Sequence, residues 1–66
     1  MNITINGTPR QLTNDGNLSD IVSALGKQPR HVITELNGSI IPSQMRGQTR
    51  LKDGDSLEIV TFVGGG

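Results

Sequence analysis

Two Asn-Gly dipeptides, Asn6-Gly7 and Asn37-Gly38, constrain the fold of this chain more than any other feature of its sequence. Both residues of such a pair tolerate a positive φ, which the two-residue turns of tight β-hairpins require. Apolar and polar residues alternate over residues 1–6, which predicts a strand with one buried face. Residues 8–12 then return as a second strand, and Pro9 restricts that strand to a sheet edge.

A short amphipathic helix is predicted after this hairpin. Its apolar residues follow the i, i+3, i+4, i+7 spacing of one helix face. They are Leu18, Ile21, Val22 and Leu25. Asn17 is a candidate N-cap, Asp20 suits the first turn, and Gly26 stands where a C-terminal cap belongs. We expect a helix of about 8 to 10 residues whose apolar stripe lies on the sheet.

The second half of the chain predicts two further strands. Residues 32–36 form the third strand and end at the second Asn-Gly turn. The polar stretch 43–50 has no clear period and predicts a loop with room for a helical turn. Residues 52–55 predict a turn, and residues 57–63 the last strand. The fold class is therefore α+β, with one helix packed across one face of a small mixed sheet.

The predicted last strand has two different faces. Leu57 and Ile59 point towards the helix and the core. Val60 and Phe62 point to the opposite, open face, and we expect Ile33 of the third strand close to them. These three residues form an apolar patch on the strand that leads to the end of the sequence, which indicates a docking surface for a partner. The alternative is that they are ordinary exposed apolar residues without a partner.

Composition narrows the class of protein. The 66 residues make a single domain, 1–66, and contain no cysteine, which favours a reducing, cytoplasmic location. Six basic residues balance six acidic ones, and Phe62 is the only aromatic residue. Nucleic-acid surfaces need clustered cations and stacking rings, so we expect no nucleic-acid partner. No apolar run reaches the length of a membrane span, so we expect no membrane partner.

The sequence ends with Gly64-Gly65-Gly66. Three glycines at one given place occur by chance roughly once in 400 at this composition. Without Cβ atoms they predict a thin, flexible tail, and its terminal carboxylate is the prime candidate for function. A frayed terminus or a scar left by expression cloning are the alternatives.

Three other residues have side chains that could act in catalysis or bind a metal ion, but their sequence context predicts neither role. His31 is the only histidine and has no cysteine to complete a catalytic set, so a surface role is the default. Asp53 and Asp55 surround one glycine and lack the further ligands of a calcium loop, so a turn is expected there and no metal site is predicted.

Several segments together resemble a known family over essentially the whole chain. They are Glu35-Leu36-Asn37-Gly38, Ile41-Pro42, residues 49–60, which include Leu51-Lys52-Asp53-Gly54-Asp55, and Val63-Gly64-Gly65-Gly66. The pattern resembles the ubiquitin-like β-grasp proteins and, within them, the sulfur carriers of thiamine thiazole synthesis. Two residues depart from that pattern: Met45 stands where a tryptophan is frequent, and Thr34 where an aliphatic residue is usual.

The resemblance implies a protein cosubstrate and not an enzyme. An E1-like adenylyltransferase would use ATP to adenylate the Gly66 carboxylate, and a cysteine desulfurase relay would supply persulfide sulfur. The resulting thiocarboxylate would donate sulfur to thiazole synthase. Gly65 would pass through a narrow channel, Gly64 would extend the reach of the tail, and no cofactor would be bound to the carrier itself.

Two other functions fit the same sequence. The small subunit of molybdopterin synthase resembles this pattern and uses the same activated terminus, although it is generally longer. A non-catalytic β-grasp binding module has the same fold and needs no free glycine terminus.

Overall fold

The computed structural model describes residues 1–13 and 16–62. The strands within these residues are β1 (Asn2–Ile5), β2 (Thr8–Gln11), β3 (Val32–Leu36), β4 (Ser39–Ile41) and β5 (Ser56–Thr61). The helix α1 spans Leu18–Ala24, and two 3₁₀ helices span Pro29–His31 and Ser43–Gln48. The predicted order of elements is confirmed, with β4 as an additional short strand and a 3₁₀ helix in the predicted loop.

The five strands form one mixed sheet in the order β2-β1-β5-β3-β4. Strand β5 is central, parallel to β1 and antiparallel to β3. Strand β2 lies at one edge, as Pro9 requires, because its missing N–H cannot serve a central ladder. Strand β4 lies at the other edge. Its three residues are too few to show a period of two, which is why the sequence pattern did not predict it.

Both predicted Asn-Gly turns are confirmed. Asn6 and Asn37 each have φ of 51°, and Gly7 and Gly38 follow with φ of 80° and 88°. Two consecutive positive φ values define the type I′ turn, whose twist matches that of the adjoining strands.

The side chains of these two asparagines attach the turns to β5. The Asn6 amide donates from Nδ2 to the Ile59 carbonyl (3.1 Å) and accepts from the Ile59 N–H through Oδ1 (2.7 Å). On the other side of β5, Oδ1 of Asn37 accepts from the Ser56 N–H at 2.9 Å. Each hairpin turn therefore extends the backbone ladder of the central strand.

Helix α1 covers one face of the sheet. Asn17 caps it, with Oδ1 accepting from the Asp20 N–H at 2.9 Å, while Asp20 Oδ2 accepts from the Asn17 N–H at 3.4 Å. Gly26, with φ of 74°, follows the C-cap residue Leu25. The helix has 7 residues, one fewer than the shortest length expected, because Leu25 already leaves helical geometry. Its N-terminal and C-terminal signals were correctly placed.

The core lies between α1 and the sheet. Its helical members are Leu18, Ile21 and Val22, with Leu25 packed partly buried against them. The remaining buried apolar residues are Ile3, Ile5, Val32, Leu51, Leu57 and Ile59. Leu57 and Ile59 therefore occupy the core positions that the alternation in the last strand predicts.

The buried side chain of Arg46 explains why the core contains the polar residue Thr34. Arg46, in the second 3₁₀ helix, donates from Nε to Thr34 Oγ1 (3.1 Å) and from Nη1 and Nη2 to the carbonyls of Pro29 (2.8 Å) and Val32 (2.7 Å). Thr34 is buried and also donates to the Ile41 carbonyl at 3.0 Å. The hydroxyl that departs from the family pattern is thus an acceptor for a buried guanidinium.

The turn at Asp53–Gly54 is held by buried Asp55. Its carboxylate accepts from Asn37 Nδ2 (2.9 Å), from the Lys52 N–H (2.8 Å) and from Lys52 Nζ (3.4 Å). Burial alone would raise the pKa of Asp55. The hydrogen bonds from Asn37 and Lys52, together with the Lys52 charge, outweigh it and hold the pKa below its ordinary value of 3.8.

A lowered pKa in the folded state makes stability depend on pH. The ionised Asp55 contributes stability that is fully present above its ordinary pKa and is lost as the pH falls through the lowered value. We expect Asp55→Asn to reduce the free energy of unfolding at neutral pH, and the difference from the parent protein to shrink as the pH falls below about 4. Denaturant unfolding at several pH values measures this difference. A difference that stays constant with pH would contradict the assigned role of the carboxylate.

Candidate functional site

The apolar patch predicted on the open face is present. Ile33 of β3 is the register partner of Val60 on β5, and Phe62 follows two residues later. The exposed fractions of Ile33, Val60 and Phe62 are 46%, 56% and 42%. The assignment of β5 faces is therefore confirmed, whereas the role of the patch in binding a partner stays a prediction.

Ile40 enlarges the apolar patch and was missed by sequence reasoning. It lies on β4 opposite Glu35 and is 65% exposed. A groove of about 310 Å³ runs from the patch past the end of β4, where the chain turns away at Pro42. Ile33, Ile40 and Phe62 line the groove together with the buried Arg46. The adjacent Ile40-Ile41 pair was the available signal, since alternation exposes one of two neighbouring residues in a strand.

His31 fixes the position of Phe62. The Phe62 N–H donates to the His31 carbonyl at 2.8 Å, which continues the ladder between β3 and β5 beyond the end of β5. The two rings meet edge to face, with centroids 6.4 Å apart and planes at 68°. His31 is exposed, and its contact with Phe62 places it beside the apolar patch.

The glycine tail follows this patch directly in sequence. Phe62 is the last residue of the described part of the chain, and Val63, Gly64, Gly65 and Gly66 lie outside it. The predictions for Gly64, Gly65 and Gly66 are thus not tested by the geometry. The described residues show what precedes the tail in the chain. It is the central strand of the sheet, with the core on one face and the apolar patch on the other.

Other candidate chemistry is accounted for by structural contacts. Asp53 accepts from the Asn2 N–H at 2.6 Å, and the Asp55 carboxylate is occupied by Asn37 and Lys52. Across residues 1–13 and 16–62, no three or more His, Cys, Asp or Glu side chains are grouped so that they hold a metal ion. In the same residues, no helix combines the length and apolar character needed to cross a bilayer.

Comparison with known proteins identifies relatives of the whole chain. The model of the ThiS family matches residues 3–66. The crystal structure of a thiamine biosynthesis protein (ThiS) from Geobacter metallireducens superposes with a TM-score of 0.86 at 38% identity, and all of both chains is covered. This likeness confirms the β-grasp fold with a helix packed across a mixed five-stranded sheet.

Two kinds of curated relative match over all 66 residues. A thiazole synthase of Paramagnetospirillum magneticum is 38% identical, and the chain spans 20% of that protein's length. The uncharacterized protein ycf40 of Pyropia yezoensis is 35% identical, and the chain spans 93% of it. The family model, the shared fold and a full-length relative at this identity agree, and the chain belongs to the ThiS family, ubiquitin-like β-grasp proteins of thiamine biosynthesis.

Proposed function

We propose that this protein carries sulfur as a thiocarboxylate on Gly66 for the synthesis of the thiamine thiazole. The family assignment supports a sulfur-carrier role in thiamine biosynthesis. The observation that carries the finer proposal is the relation between β5 and the tail: the central strand ends at Thr61, and Val63-Gly64-Gly65-Gly66 follows after one residue. The last three of these residues, Gly64-Gly65-Gly66, have no side chains, which suits a narrow active site.

The reacting group requires activation by a partner. A carboxylate is a poor acyl electrophile because its charge is delocalised and its leaving group would be oxide. In the proposed reaction, a Gly66 carboxylate oxygen attacks the α-phosphate of ATP on an E1-like adenylyltransferase, and pyrophosphate leaves. The acyl adenylate then has AMP as a good leaving group.

Sulfur transfer is the next step of the proposed reaction. The terminal sulfur of a persulfide, supplied by a cysteine desulfurase relay, attacks the Gly66 carbonyl carbon and AMP departs. A thiol then cleaves the remaining S–S bond and is itself oxidised to a disulfide, which leaves the Gly66 thiocarboxylate. The carrier contributes no cysteine to these steps because its sequence contains none. The match to thiazole synthases supports thiazole synthase as the acceptor of this sulfur.

Intact mass measurement tests the proposal. The protein is incubated with ATP, the E1-like adenylyltransferase, cysteine desulfurase and cysteine. We expect the mass shift of one oxygen replaced by sulfur, located at Gly66 by fragmentation and dependent on ATP. An unchanged mass with a partner preparation that loads another carrier would overturn the proposal.

The apolar patch is proposed to hold the partner while the tail reacts. We expect Val60→Gln to weaken association with the adenylyltransferase by about 10- to 100-fold, because an apolar side chain of this size loses its burial in the complex. The melting temperature should change little, since Val60 is exposed in the free protein. Titration calorimetry measures the affinity.

Thr61→Gln is the matched control for this variant. Thr61 is the next residue, is also exposed, and points to the opposite face of β5. We expect it to bind almost as the parent protein does. Equal losses for both variants would show that the apolar patch is not the contact, and a large loss of stability in Val60→Gln would show that the free protein buries Val60.

A further inference from the structure

Two carboxylates on the open face of the sheet repel each other. Glu35 of β3 lies directly opposite Glu58 of β5 in the antiparallel register. Directly opposed residues have Cβ atoms about 5 Å apart, and like charges in this position destabilise a sheet. Within residues 1–13 and 16–62, neither carboxylate has an ion-pair or hydrogen-bond partner. The domain therefore keeps an unfavourable pair that nothing in its described part compensates.

Three of the basic residues are placed by contacts elsewhere in the fold. Arg10 is the single basic residue in the five strands, and it is the register partner of buried Ile3, which places it on the helix side. Arg46 is buried under the sheet edge, and Lys52 pairs with Asp55. The open face around the two glutamates is thus left without a cation from the strands.

The glutamate pair adjoins the apolar patch. Ile33 and Val60 form the neighbouring pair on the same face, two residues earlier in β3 and two residues later in β5, at a distance of about 7 Å. Beyond them, Arg30 lines the groove beside Ile33 and Phe62. The face therefore carries negative charge, then apolar side chains, then positive charge, in that order along β5.

From this order we infer that the open face docks a protein surface with an apolar centre and a basic side chain placed between the carboxylates of Glu35 and Glu58. The inference rests on the proposed use of the apolar patch as the docking face. Covering two adjacent carboxylates with an uncharged surface would remove their water without replacement, which is costly. An arginine supplies several donors in one plane and satisfies both carboxylates at once.

The same arrangement selects the partner and its orientation. A partner with an acidic residue at this place would add a third negative charge and be rejected. The cation of Arg30 at the far end of the patch favours an acidic group there, so a partner rotated by half a turn would meet like charges at both ends. The glutamates thus act as specificity determinants while the apolar patch supplies contact area.

Isosteric substitutions distinguish a role of the two glutamates in partner binding from a role in the stability of the domain. Glu58→Gln and the double variant Glu35→Gln/Glu58→Gln keep the shape of the face and remove its charge. We expect their melting temperatures to equal or exceed that of the parent protein, because the repulsion is relieved. We expect affinity for the adenylyltransferase or for thiazole synthase, each tested separately by titration calorimetry, to fall about tenfold or more at low salt.

Ser23→Lys is the matched control, because it changes the net charge by the same amount as Glu58→Gln on the exposed side of α1. Binding that is weakened by Glu58→Gln and retained in Ser23→Lys supports the inference. Equal weakening by both variants would reveal general charge steering and overturn it, as would unchanged affinity of the double variant for both partners. Thiocarboxylate formation at Gly66 is measured separately, so failure of this inference does not resemble failure of the proposed function.

Discussion

Replacing Arg46 by methionine is expected to lower the free energy of unfolding by about 2–4 kcal/mol, because buried acceptors lose their donors while the side-chain volume is nearly kept. The Val32 carbonyl loses its 2.7 Å bond, the Pro29 carbonyl its 2.8 Å bond, and Thr34 Oγ1 the donor at 3.1 Å. Strand β4 pairs only with residues 34–36 of β3, so it does not reach the Val32 carbonyl. The Arg46 guanidinium supplies the donor that a strand partner would otherwise provide.

Thr34→Val completes a double-mutant cycle. The single change leaves Arg46 Nε buried without its acceptor and is expected to cost about 1–3 kcal/mol. The double variant should cost less than the sum of the single variants, because neither half of the broken pair remains. Denaturant unfolding measures all four proteins. Arg10→Met, at an exposed position of β2, is the control and should stay within about 0.5 kcal/mol of the parent. Arg46→Met matching this control would contradict the structural role.

Adding one alanine after Gly66 is expected to reduce thiocarboxylate formation by about a hundredfold or more. The extension moves the carboxylate by about 3.5 Å, and displacement of a reacting group by about 1 Å is enough for a hundredfold loss. Folding should survive, because the last core residue along the described chain is Ile59. Mass measurement after the loading reaction and a thermal unfolding curve report the two properties separately.

The variant Gly66→Ala distinguishes the effect of chain length on loading from the effect of an added side chain. This variant keeps the position of the carboxylate and adds a Cβ atom, so it should load better than the extended chain but more slowly than the parent. Normal loading of the extended protein would refute Gly66 as the sulfur-bearing residue. A thiamine requirement after gene deletion, in contrast to a loss of molybdoenzyme activity, assigns the carrier to its pathway.

Much of the fold was predictable because its signals are local. Asn6-Gly7 and Asn37-Gly38 specify turns through backbone conformations that few residues adopt, and the cap at Asn17 depends on Asp20 three residues away. Alternation in the last strand assigned both of its faces. These features need only neighbours in sequence, and the family resemblance agrees with them.

The rest depends on contacts between distant segments. The burial of Arg46 requires the carbonyls of Pro29 and Val32, which approach it only when the second 3₁₀ helix packs beneath the edge of β3. Thr34 in a strand facing the core was the available hint, since a buried hydroxyl needs a partner. In the candidate site, the alternation of side-chain faces along the strands predicted that Ile33, Val60 and Phe62 lie on the open face. Placing Ile40 on that face required knowledge of the pairing of β4 with β3.

The attachment of both asparagine turns to β5 affects how the domain responds to tension. Asn6 and Asn37 hold the central strand from its two sides, at Ile59 and Ser56. A pull on the residues after Phe62 acts along β5, perpendicular to the hydrogen bonds that join it to antiparallel β3 and across the slanted bonds that join it to parallel β1. These bonds are then loaded in shear and must yield together, instead of opening one after another. We therefore expect a pull on the residues that follow Phe62 to be resisted by these bonds together, so that the central strand is not separated from the sheet one hydrogen bond at a time.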